Sequence, residues 1–148
     1  MHGEAVKNVV FDYNGTLAVS GILIPDIATA LQTLQTRYKV YVITADTFGT
    51  AQAQLASIGI ECVLLQPEQK GSEKAAFVTA LGARETACVG NGNNDIPMFE
   101  LCALAIAVVG REGCYSKAIA ASDITVCDIR DAIDILMDAK KIHAVTRE

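Results

Sequence analysis

Asp12 is the first residue of the chain whose position suggests chemistry. It follows the apolar run Val9 to Phe11, which is typical of a buried strand, so its carboxylate would stand at the end of that strand. A carboxylate placed there can act as a nucleophile and form a covalent intermediate. Two residues later, where a second acid could exchange protons, the chain has Asn14. An amide cannot exchange a proton usefully, so the pair suggests covalent chemistry without strong acid–base help.

Polar residues also follow the next strand candidates. The second strand candidate ends in Thr44-Ala45, the third is followed by Lys70 and Lys74, and the fourth ends in Gly-Asn-Gly-Asn-Asn-Asp at 90–95. The carboxyl ends of parallel strands meet at one edge of a sheet, where ligands bind. We therefore expect these groups to converge around one pocket.

The elements that must position these residues alternate along the chain. Short runs rich in Val and Ile predict strands, and amphipathic stretches between them predict helices. The predicted strands are Lys7–Phe11, Lys39–Thr44, Glu61–Leu65, Thr86–Gly90, Ala103–Val109 and Asp123–Cys127. The predicted helices are Pro25–Arg37, Thr47–Ile58, Ser72–Leu81, Ile96–Cys102, Tyr115–Ala121 and Arg130–Lys140. Strands this apolar, interleaved with helices, predict an α/β fold in which a central parallel sheet carries helices on both faces.

One insertion interrupts this alternation. Between the first strand and the first helix, two short apolar pieces flank Ser20-Gly21, which predicts a small β-hairpin over the end of the first strand. No linker or repeat divides the chain. We expect one Rossmann-like domain over 1–148, with a hairpin flap and no large cap domain.

Composition narrows the classes of function. Apolar residues make up 51% and charged residues 20%, as in a compact soluble protein. Acidic residues outnumber basic ones 17 to 12, which argues against nucleic acid as a partner. The longest apolar run, Ala103–Val109, is too short to span a membrane, and the N-terminus does not resemble a secretion signal. Five cysteines without a paired spacing predict mostly buried free thiols in a reducing cytoplasm, with a zinc site as the alternative.

Four short motifs, in order and each at a strand end, resemble those of the haloacid dehalogenase-like (HAD) hydrolase superfamily over nearly the whole chain. The first motif, DxDGT, is matched by Asp12-Tyr13-Asn14-Gly15-Thr16, and the second by Thr44. The lysine motif is matched best by Lys70, with Lys74 as the fallback, and GDGxND is matched by residues 90–95. Within the superfamily, these motif sequences most resemble those of the phosphorylation domain of P-type ATPases.

The resemblance implies a role for each residue. Asp12 would attack phosphorus, and Mg²⁺ would be held by Asp12, the Asn14 carbonyl, Asn91 and Asp95, the last directly or through water. Phosphate would be bound by Gly15, Thr16, Thr44, Ala45 and Lys70, with Asn14, Thr44 and Lys70 completing the catalytic set. Gly15 and Gly92 would allow close approach of the backbone.

Two departures from the family pattern reduce the expected activity. Asn14 replaces the acid that protonates the leaving group and activates water, which should cost about 10²–10⁴-fold in rate. Asn91 replaces an acid that binds the metal, and Mg²⁺ binding relies on carboxylates. Each amide precedes a glycine, a pair prone to deamidation, and conversion to Asp would restore the family's acids.

The sequence therefore predicts a Mg²⁺-dependent phosphohydrolase acting on a small phosphorylated metabolite. Two alternatives stay open: a catalytically impaired relative that binds a phosphorylated ligand or partner, and a phosphoacceptor that keeps its aspartyl-phosphate. Taken alone, Thr44 could be an ordinary strand-end hydroxyl, and the glycine- and asparagine-rich 90–95 segment could be a plain turn. Assembly into a homo-oligomer that covers the pocket is compatible with the missing cap.

Overall fold

A computed structural model of the protein describes residues 5–45, 50–66 and 70–146, without the side chains of Thr50 and Lys70. Six strands form a parallel sheet in the order β5-β4-β1-β6-β7-β8, and β2 and β3 form a separate antiparallel pair. The strands are β1 (Asn8–Asp12), β2 (Ala18–Val19), β3 (Ile22–Leu23), β4 (Lys39–Thr44), β5 (Glu61–Leu64), β6 (Thr86–Gly90), β7 (Leu104–Val108) and β8 (Ile124–Val126). The predicted α/β class with a central parallel sheet is confirmed.

Seven helices cover the two faces of the sheet among the described residues. They are α1 (Ile27–Leu34), α2 (Thr50–Ala56), α3 (Lys70–Leu81), α4 (Ile96–Leu101), α5 (Ser116–Ala121), α6 (Ile129–Leu136) and α7 (Ala139–Thr146). Helices α1, α2, α6 and α7 pack on one face, and α3, α4 and α5 pack on the other. Strands β1, β6 and β7 are buried along their whole length, which explains their continuous apolar sequences.

The order of the strands places β1 at the centre of the sheet, between β4 and β6. The chain runs outward from β1 to β4 and β5, then returns to the other side of β1 for β6. This reversal of direction creates a crevice at the carboxyl ends of the central strands. The loops that leave β1 and β6 therefore face each other, with Thr44 and Ala45 at the end of β4 beside them.

The predicted hairpin is confirmed, with its turn at Ser20-Gly21. Both turn residues have positive φ, 52° and 80°, which matches the twist required to join two antiparallel strands through two residues. The Gln54 side chain of α2 accepts from the Leu23 N–H at 2.9 Å and donates to the Tyr13 hydroxyl at 3.0 Å. These bonds fix the hairpin to the body of the domain.

Several helix boundaries differ from the prediction by one to three residues, and one predicted helix is divided in two. The helix predicted to continue to Lys140 ends at Leu136, and α7 begins at Ala139. Asp138 lies between them, and its carboxylate accepts from the Lys140 N–H at 3.0 Å, as an N-cap does. Helix α3 begins two residues earlier than predicted, at Lys70. The predicted start of α2 at Thr47 lies outside the described residues.

Two further expectations concern the cysteines and the membrane. Only Cys88 is fully buried, while Cys127 is exposed, so the expectation of mostly buried thiols is wrong. No cluster of three metal-binding side chains occurs among the described residues. Within the same ranges, no helix has the length and apolar character needed to cross a bilayer.

Candidate active site

A cavity of about 190 Å³ opens at the carboxyl ends of the central strands. Asp12 and Asn14 line it from the loop after β1, Thr44 and Ala45 from the end of β4, and Asn91 from the loop after β6. The structure thus brings together predicted residues that lie up to 79 positions apart, counted from 12 to 91. This convergence follows from the parallel sheet, because its strands all end at the same edge.

Lys74 supplies the positive charge of the cavity. It lies in the second turn of α3 and is 1% exposed. Its ammonium donates to Asp12 Oδ1 at 2.8 Å, Asp95 Oδ1 at 2.7 Å and Asn94 Oδ1 at 3.0 Å. An ammonium has three protons, so all three are used, and the desolvation of this buried charge is compensated by hydrogen bonds and two carboxylates.

Asp95 holds both Lys74 and the loop after β6. It is fully buried, and its second oxygen, Oδ2, accepts from the backbone N–H groups of Asn91 and Gly92, each at 2.9 Å. With Lys74 on Oδ1, both carboxylate oxygens are occupied. The predicted role of Asp95 as a metal ligand, directly or through water, stays a prediction.

Asp12 shares the Lys74 ammonium with Asp95, which affects the titration of Asp12 and Lys74. Burial raises the pKa of Asp12 to about 7, with the Asp95 charge as the second cause, against the lowering effect of Lys74. Burial alone lowers the pKa of Lys74, but Asp12 and Asp95 together outweigh it, so its pKa is raised.

Thr16 links the nucleophile candidate to the amide at position 91. Its buried hydroxyl lies 3.3 Å from Asp12 Oδ2 and 3.3 Å from Asn91 Oδ1, within reach of either as a donor. The Asn91 amide donates to the Gly113 carbonyl at 3.2 Å, which fixes the direction of its oxygen. In the structure the Thr16 hydroxyl faces these two side chains, and its predicted role in phosphate binding stays a prediction.

Two glycines are required by close packing around these side chains. Gly15 has φ of 80°, and a Cβ there would meet the Asn91 amide, whose Cγ would lie 2.9 Å away. This agrees with the predicted need for glycine at 15. At Gly92, a Cβ would find no atom closer than 3.8 Å, so packing within the protein does not require glycine there, and the predicted close approach to a ligand stays a prediction. The close approach occurs at Gly90, where a Cβ would meet the Asp95 carboxylate.

The chemistry of the donor atoms allows Mg²⁺ but supplies little charge for it. Asp12 Oδ2 and Asn91 Oδ1 both lie beside the Thr16 hydroxyl, and Asn14 lines the same cavity. These are the hard oxygen ligands that Mg²⁺ takes, usually with one or two carboxylates and the phosphate of a substrate completing its shell. Asp12 is the one carboxylate in this set. The residues therefore fit Mg²⁺, with an affinity that depends strongly on a bound phosphoryl group.

Of the two lysines predicted for the site, Lys74 is the one whose described side chain contacts Asp12. The structure places Lys74 in the site, whereas Lys70 was the first choice; the Lys70 side chain lies outside the described part of the chain. Both lysines lie on the face of α3 that carries Val78, so helical periodicity could not separate them. Asn94, which binds Lys74, was also missed, although it lies inside the quoted 90–95 motif.

Comparison with known proteins places these motifs in a family. A sequence profile of the haloacid dehalogenase-like hydrolases matches residues 4–102. An uncharacterized protein of Methanocaldococcus jannaschii is 39% identical over 88 residues, which cover 55% of this chain and 95% of that protein. The copper-exporting P-type ATPase of Staphylococcus saprophyticus is 34% identical over 139 residues. These residues cover 90% of this chain but only 16% of the ATPase, so the chain spans a small part of that relative.

Solved structures agree on the fold. The 3-deoxy-D-manno-octulosonate 8-phosphate phosphatase of Moraxella catarrhalis, in complex with a magnesium ion, a phosphate ion and a KDO molecule, superposes with a TM-score of 0.73. The match covers 95% of this chain and 91% of that chain at 17% identity. At this identity the similarity shows a shared architecture.

Proposed function

Because this chain belongs to the haloacid dehalogenase-like hydrolases, we propose that it removes phosphoryl groups through a covalent intermediate on Asp12. The observation that supports this most is the position of the Asp12 carboxylate at the edge of the cavity. It is 8% exposed and is bound on one oxygen by Lys74 and faced on the other by Thr16. A carboxylate held in this way has one orientation toward the cavity, which favours attack on a bound phosphorus.

The first step exchanges one bond to phosphorus for another. An oxygen of ionised Asp12 forms the new bond to phosphorus, and the bond between phosphorus and the leaving oxygen breaks, with its electron pair departing on that oxygen. Lys74 stabilises the negative charge near the reacting atoms, and Thr44 and Ala45 line the space for the phosphoryl oxygens. In the second step, water forms a bond to phosphorus and the bond between phosphorus and the Asp12 oxygen breaks. Inorganic phosphate and the ionised Asp12 carboxylate are released, and the proton from water passes to solvent.

Asn14 limits which leaving groups depart quickly. Its exposed side chain lines the cavity where a proton donor would act, but an amide donates no proton to a departing oxygen. Leaving groups that are stable as anions, such as acetate or 4-nitrophenolate, need no proton, whereas alkoxides do. We therefore expect good turnover of acyl and aryl phosphates relative to alkyl phosphates, and slow attack by water in the second step.

Mg²⁺ is the proposed cofactor, as it is present in the Moraxella catarrhalis phosphatase structure. Asp12, the Asn14 carbonyl and Asn91 would hold it, and it would supply charge neutralisation of the phosphoryl oxygens. The proposed substrate is a small phosphorylated metabolite, because the cavity of about 190 Å³ is close to the size of a phosphoryl group with its first few attached atoms. Action in the cytoplasm without membrane or nucleic-acid partners belongs to the same proposal.

The direct test uses acetyl phosphate and 4-nitrophenyl phosphate with Mg²⁺. Release of inorganic phosphate and a covalent phosphoryl label on Asp12, located by mass spectrometry after acid quench, are the expected results. Asp12→Asn should abolish both, while Asp131→Asn, which changes an exposed carboxylate on α6, should change neither. The absence of both phosphate release and covalent label in the parent protein would refute the proposal.

A second candidate function uses only the first of the two steps. Asn14 cannot activate water, and this favours a phosphoacceptor that keeps its aspartyl-phosphate as a signal. A pulse of labelled acetyl phosphate followed by unlabelled donor distinguishes the candidates. Label that persists much longer than one turnover of the donor supports the phosphoacceptor, and label that is lost at the rate of phosphate release supports the hydrolase.

A further inference from the structure

A second, larger cavity lies beside the hairpin. Its volume is about 730 Å³, and it lies between the hairpin on one side and the carboxyl ends of β7 and β8 on the other. Its walls are mainly apolar. They are formed by Val19, Ile22 and Leu23 of the hairpin and by Val108, Val109 and Ile129. We call this cavity the hairpin groove. Its size and apolar lining are typical of sites that bind small organic molecules.

The turn of the hairpin and the turn at Gly110–Gly113 lie at the two sides of the groove and are joined by a hydrogen bond. The turn at Gly110–Gly113 is closed by a bond from the Gly113 N–H to the Gly110 carbonyl at 3.0 Å, and Gly113 has φ of 78°. Glu112 in this turn accepts from the Ser20 N–H at the tip of the hairpin at 2.9 Å. This bond joins the tip of the hairpin to the turn after β7, so the two walls of the groove are connected to each other.

The charges at the groove leave one cation available. Arg130 is engaged by Asp128 at 3.2 Å and by the Pro25 carbonyl at 3.1 Å, and Glu112 is engaged by Ser20. Arg111 lines the groove, is exposed, and makes no hydrogen bond or ion pair with residues 5–45, 50–66 or 70–146. A free guanidinium beside apolar walls matches the two ends of an amphipathic anion.

The groove is separate from the phosphoryl cavity. The two cavities share no lining residue, and the strip Gly15-Thr16 lies between them. Gly110 packs against this strip, because a Cβ there would lie 3.6 Å from the Gly15 carbonyl oxygen. On the other side of the strip, the Thr16 hydroxyl lies beside Asp12 and Asn91. A molecule in the groove would thus contact the back of the loop that shapes the phosphoryl cavity.

We propose that the hairpin groove binds a small amphipathic organic anion that is distinct from the phosphoryl donor. Its apolar body lies against Ile22 and the end of β7, and its carboxylate, sulfonate or phosphate is held by Arg111. This inference goes beyond the proposed function and does not require turnover.

The test uses two fluorescent probes of similar apolar size that differ in charge. 8-Anilino-1-naphthalenesulfonate carries a sulfonate, and N-phenyl-1-naphthylamine is its neutral counterpart. Titration of the full chain should show saturable binding of about one sulfonate probe per chain, with tighter binding than that of the neutral probe. Raised salt should reduce this preference, because an exposed cation is screened.

Two substitutions with matched controls locate the binding. Arg111→Gln should weaken binding of the sulfonate probe about 2- to 5-fold and remove the preference for this probe over the neutral one. Ile22→Glu should weaken binding of both probes about tenfold or more, because it removes apolar contact and adds a negative charge. Lys140→Gln and Val145→Glu change an exposed cation and an exposed aliphatic residue on α7, away from the groove, and should change neither.

Three results would overturn the proposal. One is the absence of saturable binding of the sulfonate probe to the parent protein. Another is binding that Ile22→Glu and Arg111→Gln leave as it was, because both residues are on the surface and neither change threatens folding. The third is displacement of the neutral probe, which does not use Arg111, by inorganic phosphate with Mg²⁺, because this would show that the groove and the phosphoryl cavity are one site. Displacement by 1-naphthalenesulfonate but not by phosphate is the expected outcome.

Discussion

The two sides of the phosphoryl cavity differ in how completely their groups are satisfied. On the α3 side, Lys74 and Asp95 are buried, and every oxygen and proton of the pair has a partner. On the side of the β1 and β6 loops, Asn14 and Asn91 are neutral amides nearer to solvent, where family members carry acids. The framework that orients Asp12 is therefore intact, while the groups that would supply protons and metal affinity are changed. Positioning and reactivity are separable properties of this site.

The largest effect should follow from breaking the satisfied side. Lys74→Met leaves Asp12 and Asp95 buried together without a cation, and we expect it to lower the free energy of unfolding by about 3–5 kcal/mol at pH 8. Lowering the pH should reduce the loss, because the carboxylates become neutral. Urea unfolding measures this. Lys117→Met, at an exposed position of α5, should cost less than about 0.5 kcal/mol, and an equal loss in both variants would contradict the contrast.

The changed side should respond in rate. The double variant Asn14→Asp, Asn91→Asp should release phosphate from 4-nitrophenyl phosphate about 10²-fold faster, the low end of general acid–base assistance. It should also reach half-maximal rate at a lower Mg²⁺ concentration, because a second carboxylate joins the ligand set. Asn93→Asp adds the same charge at an exposed position in the same loop and serves as control. If the double variant is as inert as the parent, the account of the two amides is wrong.

A smaller effect should appear in the pH dependence of stability. The folded pKa of Asp12, about 7, lies above its unfolded value of 3.8. The contribution of Asp12 is therefore full below about pH 3.8 and is lost as the pH rises through 7. Asp12→Asn should be about 1–3 kcal/mol more stable than the parent at pH 8 without divalent cations, and equal to it below pH 3.8.

The measurement for Asp12→Asn is urea unfolding across this pH range in the presence of a chelator. Asp131→Asn, on the exposed face of α6, should show no such pH-dependent difference. A parent protein more stable than Asp12→Asn at pH 8 would show that Lys74 outweighs burial at Asp12. Stabilisation by removal of a reactive group would instead show that the cavity is built for reactivity at some cost in stability.

The smallest effect concerns deamidation of Asn14 and Asn91. The structure predicts that almost no deamidation occurs in the folded protein. The reaction needs the N–H nitrogen of the following glycine to attack the Asn side chain. Gly15 N donates to the Ala18 carbonyl at 2.9 Å, and Gly92 N donates to Asp95 Oδ2 at 2.9 Å. Both nitrogens are therefore held away from attack. The intact mass of the folded protein should stay constant at neutral pH over days, while the urea-unfolded chain gains mass; a gain in the folded state would contradict these two bonds.

Much of this architecture could be predicted because its signals are local. An apolar run followed by a carboxylate marks β1 and Asp12, and Ser20-Gly21 between short apolar pieces marks the hairpin. The break between α6 and α7 was missed because Asp138 fits the polar face of a continuous helix as well as it fits a cap. Its capping bond to Lys140 decides between the two, and that bond exists only once the chain has turned.

The sequence by itself determined the order of the elements, the family motifs and the two amides in place of acids, since these depend on residue type and spacing along the chain. Only the tertiary structure decided that Lys74 contacts Asp12, that both oxygens of Asp95 are occupied, and that Arg111 stands free beside an apolar groove. The physical reason is that these facts depend on distances between side chains from separate elements. Such distances are set by how α3, the hairpin and the turn at Gly110–Gly113 pack on the sheet, and no local sequence pattern encodes them.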